Sequence, residues 1–184
     1  MKKIDLSKFD STHGLVRGAS KPKEILWYFT KILFFLTAFP FPNQLKCIFL
    51  RLFGAQVGQG VVIKPRVNIH MPWKLNIADH VWIGEEVFIL NFELLTIENN
   101  VCVSQRAFLC GGNHDYRLSS FPYRNGPITL KNGSWVGANA FVGPNTVFEE
   151  YAILTAGSLA SGILERETIY TGNPAKPLKK RNFK

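Results

Sequence analysis

The 184-residue chain is poor in the residues that staple or metallate a fold, with three cysteines, two methionines and four histidines. Cys47, Cys102 and Cys110 are odd in number and lack metal-type spacing, so neither a disulfide framework nor a cysteine-based metal site organises the chain. No apolar run approaches the ~20 residues that cross a bilayer, and the stretch between Lys31 and Pro40 falls well short. No basic n-region with a short apolar core and a small-residue cleavage site opens the chain, so a reducing cytoplasm is the expected compartment. Acidic residues are scarce as well, 13 against 22 Lys and Arg, for a net charge of +9. The excess gathers at the two ends, in Lys2, Lys3, Lys8, Arg17, Lys21, Lys23 and Lys31, and in Lys176, Lys179, Lys180, Arg181 and Lys184. Such a distribution asks for an anionic partner: a polyphosphate cofactor, an acidic membrane surface or nucleic acid. No motif interleaves aromatics with the basic residues, so no nucleic-acid partner is expected.

Apolar residues make up 46% of the chain, enough for one cored domain with an appendage. From Val57 onward they fall in sixes: Val57, Ile63, Ile69; Ile77, Ile83, Ile89; Ile97, Val103, Leu109; and Leu130, Val136, Val142, Phe148, Leu154, Ala160. Fourteen of these fifteen are Val, Ile, Leu or Phe, which a chance frame does not give. Two steps, Ile69 to Ile77 and Ile89 to Ile97, are eight residues long, and each follows a third hexad. A triangular coil of three six-residue sides, with an excess tolerated at one corner, accounts for both the period and its breaks.

Small or β-branched residues recur four positions after the anchors, at Val61, Val67, Val81, Val87, Val101, Ala107, Ala140, Ala152 and Ser158, as a cramped interior corner requires. Gly84, Gly137 and Gly143 directly follow anchors and are expected to supply the permissive backbone of the turns. A period-two sheet would not keep one anchor in six, and a helix would not survive these glycines and Pro144. The fold class is therefore mainly β, a parallel β-helix over residues 54–164. Period alone does not give its hand, since parallel crossovers are ordinarily right-handed.

Residues 1–53 form a tail and two short helices in this reading, and 165–184 a basic tail. Ile25, Phe29, Ile32, Leu33 and Leu36 have helical spacing, and Leu45, Ile48, Phe49 and Leu52 follow Pro40 and Pro42. These helices either pack on the β-helix or across an oligomer, or lie in a membrane interface assisted by the neighbouring lysines. Between Leu109 and Leu130 about fifteen residues are inserted, a polar loop over residues 110–127 with His114 near its base.

At this point the residues carry a resemblance. Pro72-Trp73-Lys-Leu-Asn-Ile, Val81-Trp-Ile-Gly-Glu, Asn91-Phe92, Gly112-Asn-His114-Asp-Tyr116, Ser134-Trp135-Val-Gly-Ala, Ala156-Gly157-Ser158 and Gly172-Asn-Pro-Ala-Lys176 resemble the hexapeptide-repeat acyltransferases, most closely the colanic-acid-type sugar O-acetyltransferases. The resemblance spans roughly residues 25–181 and extends to the nodulation, maltose and galactoside acetyltransferases. The hexad marks only the fold, whereas the histidine loop with the terminal Gly-Asn-Pro-Ala-Lys is specific to the acetyltransferases.

What the resemblance implies is a left-handed β-helix, a homotrimer with sites between subunits, acetyl-CoA as acyl donor, and no metal. It implies direct attack of a saccharide hydroxyl on the thioester, with His114 as general base. Asp115 and Glu93 are both candidates to orient that histidine, as is a backbone carbonyl. Asn91 and Trp135 would meet the acceptor, and Asp115 and Tyr116 would shape its pocket. Gly137, Ala138, Ala156 and Gly157 would line the pantetheine arm, with an amide near Gly137 or Ala138 facing the developing oxyanion. Lys176, Lys180 and Arg181 would meet the phosphates. The basic, apolar N-terminal region suggests peripheral contact of residues 25–53 with the inner face of the membrane.

Rival readings remain. A zinc carbonic anhydrase of the same fold needs three converging histidines, two of them five residues apart, and His13, His70, His80 and His114 include no such pair. A non-catalytic β-helix scaffold would not need both His114 and Asn173-Pro174-Ala175-Lys176. Acetylation of an amine on a nucleotide sugar, or of an antibiotic, would change the acceptor and leave base and donor unchanged.

Overall fold

The structure, a computed structural model, describes residues 3–183. Helices α1 (Lys21–Phe34) and α2 (Asn43–Leu52) precede a parallel β-helix of five coils and the start of a sixth. Its first face is built from Gln56–Val57, Leu75–Ile77, Leu95–Ile97, Ile128–Leu130, Thr146–Phe148 and Ile163–Leu164. Its second begins at Val62–Ile63 and ends with Thr168–Gly172, and its third runs from Asn68–Ile69 to Leu159–Ala160.

The anchors stack in three files. Val57, Ile77, Ile97, Leu130, Phe148 and Leu164 are in register along the first face. Ile63, Ile83, Val103, Val136, Leu154 and Tyr170 follow along the second, and Ile69, Ile89, Leu109, Val142 and Ala160 along the third. Leu109 still pairs with Val142 across the insert, so the extra residues loop out without shifting the ladder. The expected corner residues, Val61 to Ser158, are buried, and Ser134 and Thr146 complete the series. Each fully buried Val, Ile or Leu contributes about 1.5–3 kcal/mol, which makes the three files the main source of cohesion.

From Val57 to Leu164 on the first face, from Ile63 to Leu154 on the second, and after Val142, the turn residue with left-handed backbone is the third after the anchor rather than the first. Arg66, His80, Glu86, Asn100, Arg106, Asn139, Asn145 and Tyr151 all have φ between 55° and 61° there, and no β-branched residue occupies the position. Gly137 has a different reason to be glycine. A Cβ there would stand 2.5 Å from the Ala156 nitrogen of the next coil, and one at Gly84 would stand 2.7 Å from the Gln105 nitrogen. At Gly143 nothing lies closer than 3.5 Å.

An open coil ends in unpaired backbone groups. At the first coil the carbonyl of each anchor is met by a side chain. Arg51 donates to Val57 O at 2.8 Å, Lys46 Nζ to Ile63 O at 2.9 Å and Trp27 Nε1 to Ile69 O at 3.1 Å, while Asn43 Oδ1 accepts from Ile63 N. The helices are thus a lid on the prism. The face of α1 that packs is Trp27, Lys31 and Phe35, an i, i+4, i+8 stripe. The stripe suggested by apolar spacing, Ile25, Phe29, Ile32, Leu33 and Leu36, faces outward instead. At the far end, residues expected as a basic tail form an antiparallel pair, Thr168–Gly172 with Ala175–Lys180, that adds the last strand to the second sheet.

Candidate active site

The insert folds into a two-legged arm at the corner between the third and first faces. Gly126 N donates to Gly111 O, Arg124 N to Asn113 O and Asp115 N to Pro122 O, and His114 bridges Tyr123. The N-terminal segment is laid along this arm, with Asp5 N donating to Ser119 O, Tyr123 N to His13 O and Asn125 Nδ2 to Gly14 O.

His114 is clamped between rings. It stacks on Phe121 at 4.3 Å and on Tyr123 at 4.8 Å, with Phe9 at 5.6 Å. Its Nδ1 lies 2.9 Å from the Phe121 carbonyl oxygen. A carbonyl only accepts, so Nδ1 carries the proton and Nε2 of the neutral ring keeps its lone pair. The orienting group is therefore backbone. Asp115 is engaged instead by Arg117 in a two-pronged pair at 2.8 and 2.6 Å, whose hydrogen bonds hold its carboxyl far below the usual carboxylate range. Glu93 makes no hydrogen bond to His114. Phe9 and Phe121 carried no signal in the sequence, because each meets the histidine only through the fold of the arm and of the segment laid along it.

Asn91 shares this corner but is buried and fully occupied. Its Nδ2 donates to Met71 O at 2.6 Å and to Lys74 O at 3.0 Å, and its Oδ1 accepts from Met71 N at 2.9 Å. Both amide hydrogens are spent on the eight-residue corner, leaving none for an acceptor. Tyr116 is exposed at the arm's tip.

The other expected residues lie elsewhere on the prism. Trp135 stands exposed on the second face, its Nε1 donating to Ser104 Oγ at 2.8 Å. Gly137, Ala138, Ala156 and Gly157 come together at the corner between the second and third faces, where Gly157 N donates to Ala138 O. The Gly137 amide is taken by Leu154 O, whereas the Ala138 amide has no partner among the described residues. Beside Gly157 lies open surface: a Cβ there would touch nothing within 4 Å. Lys176, exposed and paired with Thr171, stands by the same corner. Lys180 and Arg181 do not. Lys180 Nζ donates to Thr168 Oγ1 and Arg166 O, and Arg181 donates to Gly133 O and Tyr151 O, which pins them at the corner between the first and second faces. Four to five strand residues, about 16 Å, separate them from Lys176. No group of three or more His, Cys, Asp or Glu side chains is arranged to hold a metal ion among the described residues.

Comparison with known proteins now bears on this arrangement. No family model matches the chain. WcaF of Escherichia coli (strain K12), whose name assigns it to colanic acid biosynthesis as an acetyltransferase, is 32% identical over 177 residues, covering 96% of this chain and 97% of WcaF. The chain belongs to the colanic-acid-type hexapeptide-repeat acetyltransferases. The fold agrees with that of a hexapeptide-repeat-containing acetyltransferase from Vibrio cholerae, with a TM-score of 0.81 at 17% identity over 93% of this chain and 96% of that one. It agrees also with a galactoside acetyltransferase solved with coenzyme A, with a TM-score of 0.78 at 18% identity over 98% and 92%. The protein is an acetyltransferase.

Proposed function

We propose that this acetyltransferase moves the acetyl group of acetyl-CoA to a hydroxyl of a saccharide, a cell-surface polysaccharide or its precursor, with His114 as general base. The observation that carries the reading is the Phe121 carbonyl at Nδ1, which leaves Nε2 as the basic atom of a ring stacked on Phe121. A sugar hydroxyl is a weak nucleophile at neutral pH, and a positioned base contributes about 10² to 10⁴ in rate. The saccharide class is supported by the name of WcaF and by the galactoside acetyltransferase fold. The strip of small residues at Ala138, Ala156 and Gly157, open beside Gly157, suits a pantetheine arm, exposed Lys176 would meet phosphate, and the Ala138 amide, without a partner among the described residues, would donate to an oxyanion. Acetyl-CoA supplies the acyl group as a thioester. Nε2 takes the acceptor's proton as the ester bond forms, and the same atom returns it to the departing thiolate.

One copy holds the base at one corner and the strip at another, so the site needs a second chain. The outer surfaces favour this. The first face presents Gln56, Asn76, Thr96 and Thr129, whereas Trp82 and Trp135 stand on the second and a Phe88–Phe108–Phe141 ladder lines the third. A homotrimer in which each histidine faces its neighbour's strip is the proposed assembly, and sedimentation equilibrium should return three times the chain mass. The outward apolar side chains of α1 and α2, flanked by Lys21 and Lys23, would rest on an anionic bilayer at the cytoplasmic side. No described helix is long and apolar enough to cross a membrane. Flotation with anionic and neutral vesicles tests that contact, and equal flotation would remove it.

The direct test is calorimetric titration with acetyl-CoA, followed by thiol release against neutral and acidic sugars. His114→Ala is expected to lower turnover at least about a hundredfold with coenzyme affinity unchanged. An active variant would take the histidine out of the chemistry.

A further inference from the structure

Two lysines are buried under the helical lid, and they differ. Lys46 is capped by two backbone carbonyls at 2.9 and 3.2 Å. Lys31 sits at the centre of the packed stripe of α1, nine-tenths buried, yet its ammonium has neither a hydrogen bond nor a carboxylate partner among the described residues. Its one neighbour of opposite character is the Tyr28 ring, 5.8 Å away. The ammonium is not sealed off: it reaches solvent with its donors unspent and is open to an anion.

Lys31 opens into a cavity of about 120 Å³ that Arg17, Glu24, Tyr28, His70 and Trp73 also line. Its only acid is already used: Arg17 grips Glu24 through Nε and Nη2 at 2.7 and 2.6 Å, which leaves Nη1 unengaged. The His70 ring makes no hydrogen bond among the described residues and packs edge-on against Phe92 at 5.1 Å. The cavity is half open to solvent and has room for one carboxylate or phosphate group. A chain of ring contacts leads from it toward the base. Phe92 meets Tyr123 at 5.4 Å, and Tyr123 stacks on His114, so three ring contacts join cavity and catalytic histidine at one corner of the prism. Trp73 and Lys74 tie down the Val16–Arg17 strap beside it.

We propose that this cavity is an anion subsite of the acceptor site, in which Lys31, Arg17 and His70 take the carboxylate or phosphate of an acidic saccharide while its hydroxyl meets His114. The acceptor's role in this rests on the function proposed above; the binding of an anion does not. The subsite selects charge, and the ring it leaves outside is held by the arm.

The test uses the full chain, with tryptophan emission (Trp27 and Trp73 flank the cavity) and the thermal midpoint as readouts at constant ionic strength set with chloride. The probes are inorganic phosphate, glucose 1-phosphate, glucuronate and glucose. Saturable emission changes and raised midpoints are expected with glucose 1-phosphate, glucuronate or both, and none with glucose. A phosphate-only response marks a phosphosugar acceptor, and a glucuronate-only response marks a uronic acid. Lys31→Met should weaken the anion response at least tenfold while raising the ligand-free midpoint, with acetyl-CoA affinity unchanged. His70→Asn, should the first variant fail to fold, is expected to weaken it about fivefold. An equal response to glucose, no response to any anion, or full response in the folded variants would overturn the subsite. Loss of acetyl-CoA binding with the anion response intact would instead overturn the transferase reading alone.

Discussion

His70 is the side chain whose charge state the fold alters most plainly. Burial, reinforced by the Lys31 and Arg17 cations and opposed by Glu24, lowers its pKa from 6.5 to about 4. Between those values an unfolded chain binds a proton that the folded chain refuses, so stability is expected to fall as pH drops from about 6.5 toward 4. The loss should approach about 3 kcal/mol, and His70→Gln should flatten the profile in urea midpoints taken across that window. A wild-type profile no steeper than the variant's would mean the imidazole protonates freely. His114 was legible in the sequence because an insertion in a strict repeat singles out its loop. The group that orients it was not, because a backbone carbonyl seven residues away has no residue code. Asn91 was singled out by the resemblance alone, and its three hydrogen bonds show a side chain clasping the corner. Lys180 and Arg181 looked like phosphate ligands by charge, and the strand that carries them turns both toward backbone carbonyls.

For the coils, the sixfold period was readable to the residue, since each anchor must fill the same interior file and little else will fit. The turns were less so, because the left-handed position is filled by Gly or Asn at only half its occurrences and by Arg, His, Glu or Tyr at the rest. Glycine after an anchor marks close stacking of successive coils only where the space demands it. Gly137→Ala is therefore expected to cost more than about 2 kcal/mol, through the 2.5 Å approach to Ala156 N, while Gly143→Ala should stay within about 1 kcal/mol. Equal denaturant midpoints for the two would show that the turn, and not the neighbouring coil, sets the requirement. In α1 the apolar stripe was misleading. The helix buries Trp27 and Phe35 around a lysine, so apolar spacing pointed to the side left facing outward.

The molecule as a whole is a stack closed by side chains at its first coil. Lys46→Met would leave the Ile63 and Lys64 carbonyls without donors, and is expected to cost about 1–3 kcal/mol in urea unfolding while acetyl-CoA binding stays unchanged. A stability equal to wild type would mean water satisfies the edge as well as the ammonium does. Every coil offers the next one the same ladder it received, so nothing inside the repeat says where to stop. Arg51, Lys46 and Trp27 mark the origin from which coils are counted, and they deny another prism the same three carbonyls. The lid is thus a chain terminator in the polymer sense, closing the first coil of the ladder to end-to-end growth with another prism.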